Sequence, residues 1–184
     1  VEEQSLRGAL DVGGEFIIEQ RGRETFLSVL ELKRVEEHVA GMLKDRLRMA
    51  SQPLVPDVDA ALKRVVEHYP LNLEQQHAVR SALTAPLTVV TGGPGTGKTF
   101  LCQALHAIAT QHQIPVAASA PTGRAAQRLT EASGLQAKTI HRLLEYQPTD
   151  GVFLRNAGMP LATPLVVVDE TSMLDLFLAE ALLE

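Results

Sequence analysis

Two hydrophobic patterns alternate along this 184-residue chain. In one, apolar residues recur every three or four positions, as on one face of a helix; in the other, short runs are apolar throughout, as in a strand buried on both faces. Leu32, Val35, Val39, Met42, Leu43 and Leu47 make a helical stripe, and Val58, Ala61, Leu62, Val65 and Val66 make a second, with Asp57 as its cap. Before them, Glu15–Gln20 and Glu24–Val29 flank Arg21-Gly22 and predict a hairpin. The prolines in Ser51–Pro56 and the pair Tyr69-Pro70 are breaks. From Leu71 the two patterns interleave. A helix from Asn72 leads to the apolar run Leu87–Val90, a predicted buried strand, and then to a glycine-rich stretch. Leu101, Ala104, Leu105 and Ile108 form a helix face. Ile114–Ala120 is the next strand, Arg124–Ala132 a helix ended by Gly134, Thr139–Tyr146 a short helix, Leu165–Val168 a third strand, and Leu174–Leu183 a further helix. Strands alternating with helices predict an α/β domain on a parallel sheet over 71–184, preceded by a small hairpin-plus-helices appendage over 1–70.

Composition narrows the functional classes. Apolar residues make up 45% and charged residues 21%, a globular profile. No apolar run approaches a membrane span, and no basic-then-apolar start marks a signal peptide, so the expected location is the cytoplasm, with no membrane partner. The single cysteine, Cys102, has no partner for an internal disulfide and falls on an apolar helix stripe. Net charge is −5, so any nucleic-acid contact must rest on a few placed side chains. With 4% aromatic residues and no Trp, the composition argues against a broad base-stacking platform.

Gly92-Gly93-Pro94-Gly95-Thr96-Gly97-Lys98-Thr99 fits G-x-x-x-x-G-K-[ST] at every fixed position. A phosphate-binding loop needs backbone N–H groups turned into a concavity with no side chains in the way, and glycine supplies that. The helix that starts here adds free N–H groups and the positive end of its dipole. Lys98 reaches the β- and γ-phosphates of ATP, and the Thr99 hydroxyl ligates Mg2+. Asp169 and Glu170 close the apolar run Leu165–Val168, at a strand's C-terminal end, where α/β sheets bind ligands. Asp169 is the candidate second Mg2+ residue, and Glu170 the candidate base that polarises water for attack on the γ-phosphate.

Between these motifs lie Ala120-Pro121-Thr122-Gly123-Arg124-Ala125-Ala126 and Lys138-Thr139-Ile140-His141-Arg142-Leu143-Leu144. Here the chain resembles the RecD family of superfamily 1 helicases, the family of the exodeoxyribonuclease V alpha chain. The family pattern runs LNxxQxxAV, GGPGTGKT, APTGRAAxRL, TIHRLL and VVVDExSM. This chain carries these in order at Leu71–Val79, Gly92–Thr99, Ala120–Leu129, Thr139–Leu144 and Val166–Met173. The resemblance implies a RecA-like P-loop motor that hydrolyses ATP with Mg2+, moves 5′ to 3′ on single-stranded DNA and unwinds the duplex junction ahead, in DNA repair or recombination. It implies that Thr122 and Arg124 contact the single-strand backbone; Thr122 is equally placed to cap the following helix. It implies that Gln75 recognises adenine; Asn72-x-x-Gln75 also has capping-box spacing. His141, on a short apolar helix, reads as a structural histidine.

The family's next strand, placed between the P-loop strand and the Asp169 strand, and its second RecA-like domain with an arginine for the ATP site come after the end of this sequence, fourteen residues past Glu170. The expectation is therefore a partial RecA-like domain, nearly inert as an ATPase by itself and prone to self-association. A P-loop phosphotransferase and a nucleotide-binding interaction subunit of a nuclease complex are the alternatives.

Overall fold

The computed structural model describes residues 16–93 and 95–184. Glu15 of the expected hairpin and Pro94 of the glycine-rich loop lie outside the described residues.

β1 (Phe16–Arg21) and β2 (Glu24–Val29) form the antiparallel hairpin, with Arg21 opposite Glu24. Its turn is Gly22-Arg23, one residue later than expected, because the left-handed backbone (φ 64°) falls on Gly22 as first turn residue. α1 (Leu30–Arg48) follows without a break. Only Val35 of its stripe is fully buried; Leu32 and Leu47 are exposed. It packs against α7 (Leu176–Leu183): His38 Nδ1 lies 2.7 Å from Glu180 Oε1, and Arg46 donates to the Leu183 carbonyl.

α2 (Val58–His68) starts where the Asp57 side chain accepts from Ala60 N at 2.9 Å. α3 (Leu73–Thr84) starts on a complete capping box, Asn72 with Gln75. α4 (Lys98–Gln111) begins at the glycine-rich loop. These three helices share one core: Ala61, Leu62 and Val65, Val79 and Leu83, and Leu101, Ala104, Leu105 and Ile108, with Val55 and Leu71 at its edges. The stripes read from the sequence thus face each other, and the aromatic pair Tyr69–Phe100, 5.6 Å between ring centres and edge to face, closes one end.

The sheet is parallel, in the order β4-β3-β7: β3 (Val116–Ala120) is flanked by β4 (Ala137–Thr139) and β7 (Leu165–Val168). α5 (Gly123–Ser133) crosses from β3 to β4, with Leu129 packed on Ala118 and Ala126 on Ala120. The α/β architecture with a parallel sheet is therefore the one expected. Its strand membership differs. Leu87–Val90 is not a strand: no ladder joins it to another segment among the described residues, and Val89 is 74% exposed. An apolar run becomes a strand only where neighbouring N–H and C=O groups pair with it. Among the described residues β7 has no second neighbour either, and Val166 is exposed at that open edge. The missed strand is β4, whose three residues carry little pattern of their own.

The expected helix 139–146 is one short helix, α6 (Ile140–Leu143), capped by Thr139. The chain then turns into a small antiparallel hairpin, β5 (Tyr146–Gln147) with β6 (Val152–Phe153). Ile140, Leu144 and Leu178 form a second core beneath it, with Val168 and Phe153 alongside. Before α7, Thr171–Met173 make a 3-10 turn, and Asp175 caps the helix. No helix among the described residues is long and apolar enough to cross a membrane.

Candidate nucleotide-binding site

The glycine-rich loop leads straight into α4, so its amides point toward the positive end of a 14-residue helix. Gly97 is the N-cap and takes a left-handed φ of 83°. A Cβ there would lie 2.5 Å from Gln75 Nε2, so both backbone and space require glycine. A Cβ on Gly92 would lie 2.6 Å from the Thr96 hydroxyl, which donates to the Gly93 carbonyl at 2.9 Å. The loop is thus braced from inside by Thr96. Lys98 Nζ donates to the Gly92 carbonyl and, at 3.0 Å, to the Gly93 carbonyl. No carboxylate pairs with it among the described residues, and its charge is held over the loop.

Gln75 sits against the loop as well. Its Oε1 accepts from Asn72 N at 2.9 Å, and its Nε2 donates to the Thr96 carbonyl at 3.1 Å. Capping box and loop contact coexist in one side chain. Beside it, a cavity of about 500 Å³ opens between α3 and the loop. Gly92, Thr96, Gly97 and Lys98 line one side; His77, Ala78, Ser81, Thr88 and Val89 line the other. The sequence reading missed this second group. Gln75, Ala78 and Ser81 are spaced three apart, so one face of α3 was the available signal.

Asp169 follows β7, and its amide donates to the Ser119 carbonyl at 3.0 Å, carrying the β3 ladder one residue further. Its carboxylate lies near enough to α4 to be felt there. The Cys102 thiol, on the turn after Thr99, is pushed up to about 11, first by burial and then by the Asp169 charge. Glu170 is exposed and held in the left-handed region, φ 54°, with its amide donating to Asp169 Oδ1 at 2.9 Å. A non-glycine residue in that conformation is strained, and such strain gathers at functional sites. Among the described residues no three His, Cys, Asp or Glu gather as a metal site. A divalent ion here would rest on Thr99 and Asp169 with phosphate oxygens and water, the sparse protein ligation that Mg2+ tolerates.

Thr122 caps α5: its Oγ1 accepts from Ala125 N at 3.2 Å. Arg124, next to it, is exposed and makes no hydrogen bond or ion pair among the described residues. His141 packs on Tyr146 and Phe153, with ring centres 5.3 and 5.6 Å away. It belongs to this small aromatic group and not to the loop site.

The family profile described as AAA domain matches residues 75–184. "RecBCD enzyme subunit RecD" of Mycolicibacterium smegmatis is 39% identical over 135 residues, covering 60% of this chain and 24% of that protein. "ATP-dependent RecD2 DNA helicase" of Deinococcus radiodurans is 43% identical over 102 residues, 55% of this chain and 14% of that protein. "RecBCD enzyme subunit RecD" of Mycobacterium tuberculosis is 36% identical over 175 residues, 82% of this chain and 29% of that protein. The chain thus spans less than a third of the length of these relatives. The matched residues contain the braced loop, the Asp169-Glu170 turn and the capped α5, and on that ground the chain belongs to the AAA domain family, as a RecD-like member of it.

Proposed function

We propose that the protein carrying this chain is an ATP-dependent DNA helicase whose motor includes residues 71–184, with residues 1–70 as an appendage. The observation that carries this reading is the braced loop at the head of α4, with Lys98 over its carbonyls. The loop from Gly92 through Gly93, Pro94, Gly95, Thr96 and Gly97 to Lys98 and Thr99 cradles the phosphates of ATP. Lys98 stabilises negative charge on the β- and γ-phosphates. Thr99 and Asp169 hold Mg2+, which supplies further positive charge there when bound. Glu170 orients the attacking water and takes its proton. Gln75 belongs to the same nucleotide site.

Thr122 and Arg124 mark the DNA side. They stand at the C-terminal end of β3, where a hydroxyl, a guanidinium and the free N–H groups of α5 suit backbone phosphates. Arg124→Ala should weaken single-stranded DNA binding equally across sequences. It should also flatten the salt dependence by about 0.7 of a unit, the share of one phosphate contact. Thr122→Ala should in addition cost the fold about 1 kcal/mol through loss of the cap. Fluorescence anisotropy over a salt series reads the first effect and thermal melting the second; an unchanged affinity and slope for Arg124→Ala would remove it from the DNA path.

Movement from 5′ to 3′ and a cytoplasmic location are part of the proposal. So is work in DNA repair or recombination, alone or beside nuclease subunits; the second arrangement is favoured by relatives named as RecBCD subunits. A duplex with a 5′ single-stranded tail and one with a 3′ tail test the polarity. The full-length protein should unwind the first with ATP and leave the second paired; the reverse preference, or none, contradicts the reading.

A further inference from the structure

The last carbonyls of a helix have no partner inside it and must find one elsewhere. At the end of α5 two of them are met by side chains of α4. Gln103 Nε2 donates to the Ala132 carbonyl at 2.6 Å, and His106 Nδ1 lies 3.1 Å from the Ser133 carbonyl. A carbonyl only accepts, so His106 carries a proton on Nδ1 in this contact. Gln103 and His106 are three residues apart, and one face of α4 presents both. Cys102 beside them packs against the cluster of Ala118, Leu129 and Leu135. Gly134, the C-cap of α5, has a left-handed φ of 77°, and a Cβ on it would lie 3.1 Å from His106 Nδ1. Conformation and space both call for glycine there, which lets the imidazole reach the helix end.

These two bonds link helices whose opposite ends carry different candidate chemistry. α4 begins at the glycine-rich loop with Lys98 and Thr99, and α5 begins beside Thr122 with Arg124 in its first turn. At that head α5 rests on β3 through small side chains, Ala125 and Ala126 against Ala120. Such contacts set the lie of a helix less sharply than directional hydrogen bonds do. α5 runs about 15 Å from Thr122 to Ala132 at 1.5 Å per residue, so a shift of its tail with α4 is carried to its head. We propose that Gln103 and His106 are positioning residues that couple the glycine-rich loop to the DNA side by holding the tail of α5 to the middle of α4. This rests on the helicase reading above and names the contacts through which ATP and DNA act on each other within residues 71–184. Coupling of this kind is a free energy shared between two sites, and contiguous packed and hydrogen-bonded groups carry it.

The test is ATP hydrolysis by the full-length protein with and without single-stranded DNA, beside DNA binding measured without nucleotide. Gln103→Met and His106→Leu keep bulk and remove the donor; His106→Asn keeps an N–H near the place of Nδ1. The first two should match the wild type in DNA-free hydrolysis and in DNA binding. Their DNA-stimulated rate should fall about 3- to 10-fold, the worth of one hydrogen bond. His106→Asn should restore most of the stimulation. Equal losses with and without DNA would make the pair merely structural and overturn the inference. Wild-type stimulation in either donor-less variant, or His106→Asn no better than His106→Leu, would overturn it as well. Should His106→Leu fail to fold in a thermal melt, Gln103→Met against the wild type decides. A wild-type protein whose hydrolysis ignores DNA would remove the helicase reading, and the inference with it.

Discussion

Lys98→Ala in the full-length protein should abolish measurable ATP hydrolysis while leaving the melting temperature almost unchanged. The two halves of this expectation come from one environment. Lys98 is only half-buried, and its ammonium contacts two loop carbonyls and no carboxylate among the described residues. Its removal leaves no buried charge unpaired, so the cost to folding is that of an ordinary surface change, within about 0.5 kcal/mol. Phosphoryl transfer, in contrast, spreads negative charge over oxygens that Lys98 would meet in the proposed reaction. Losing one preorganised donor at such a centre costs ~10²–10³-fold in turnover, and loss of ground-state phosphate binding adds to it. A coupled phosphate-release assay measures the rate, and a thermal melt the fold. Turnover close to wild type from a folded variant would take Lys98 out of the reaction.

Glu170→Gln should give a protein that binds ATP but hydrolyses it ~10²–10⁴-fold more slowly, the usual loss on removing a general base. The substitution keeps the size of the side chain and takes away its basicity. The backbone should tolerate it: the left-handed φ of Glu170 is held by the hydrogen bond its N–H donates to Asp169 Oδ1 and by the Thr171–Met173 turn, whose last amide donates to the Glu170 carbonyl. Neither contact involves the Glu170 side chain. Single-turnover hydrolysis beside equilibrium ATP binding separates the two effects. Unchanged hydrolysis would leave the exposed carboxylate of Glu170 without a part in the chemistry; lost binding would make it a structural residue.

Much of the architecture was legible because it rests on side-chain periodicity. The stripes on α2 and α4 meet in one core, and Asp57, Asn72 and Thr122 cap the helices their positions announced. Leu87–Val90 failed for a reason outside its own residues. Its composition is that of a buried strand, but strand formation needs a partner's backbone, and the described residues bring none to it. β4 was hidden for the opposite reason. Ala137–Thr139 is too short to show alternation and is a strand because β3 offers it a ladder. The glycine-rich loop and the Asp169-Glu170 pair could be picked out in advance as candidates, since the chemistry proposed for them fixes residue types at fixed spacing. The second use of Gln75 could not. Its bond to Thr96 spans 21 residues and depends on how α3 lies against α4, which no local pattern records.

Steady-state ATP hydrolysis by the full-length protein, measured with and without single-stranded DNA, tests the central claim most directly. A DNA-driven motor couples the loop at the head of α4 to the strand path past Arg124. The account predicts hydrolysis that is slow without DNA, rises steeply as single-stranded DNA is added, and loses that rise in Lys98→Ala. Hydrolysis indifferent to DNA, or phosphate passed from ATP to a small-molecule acceptor, would contradict it.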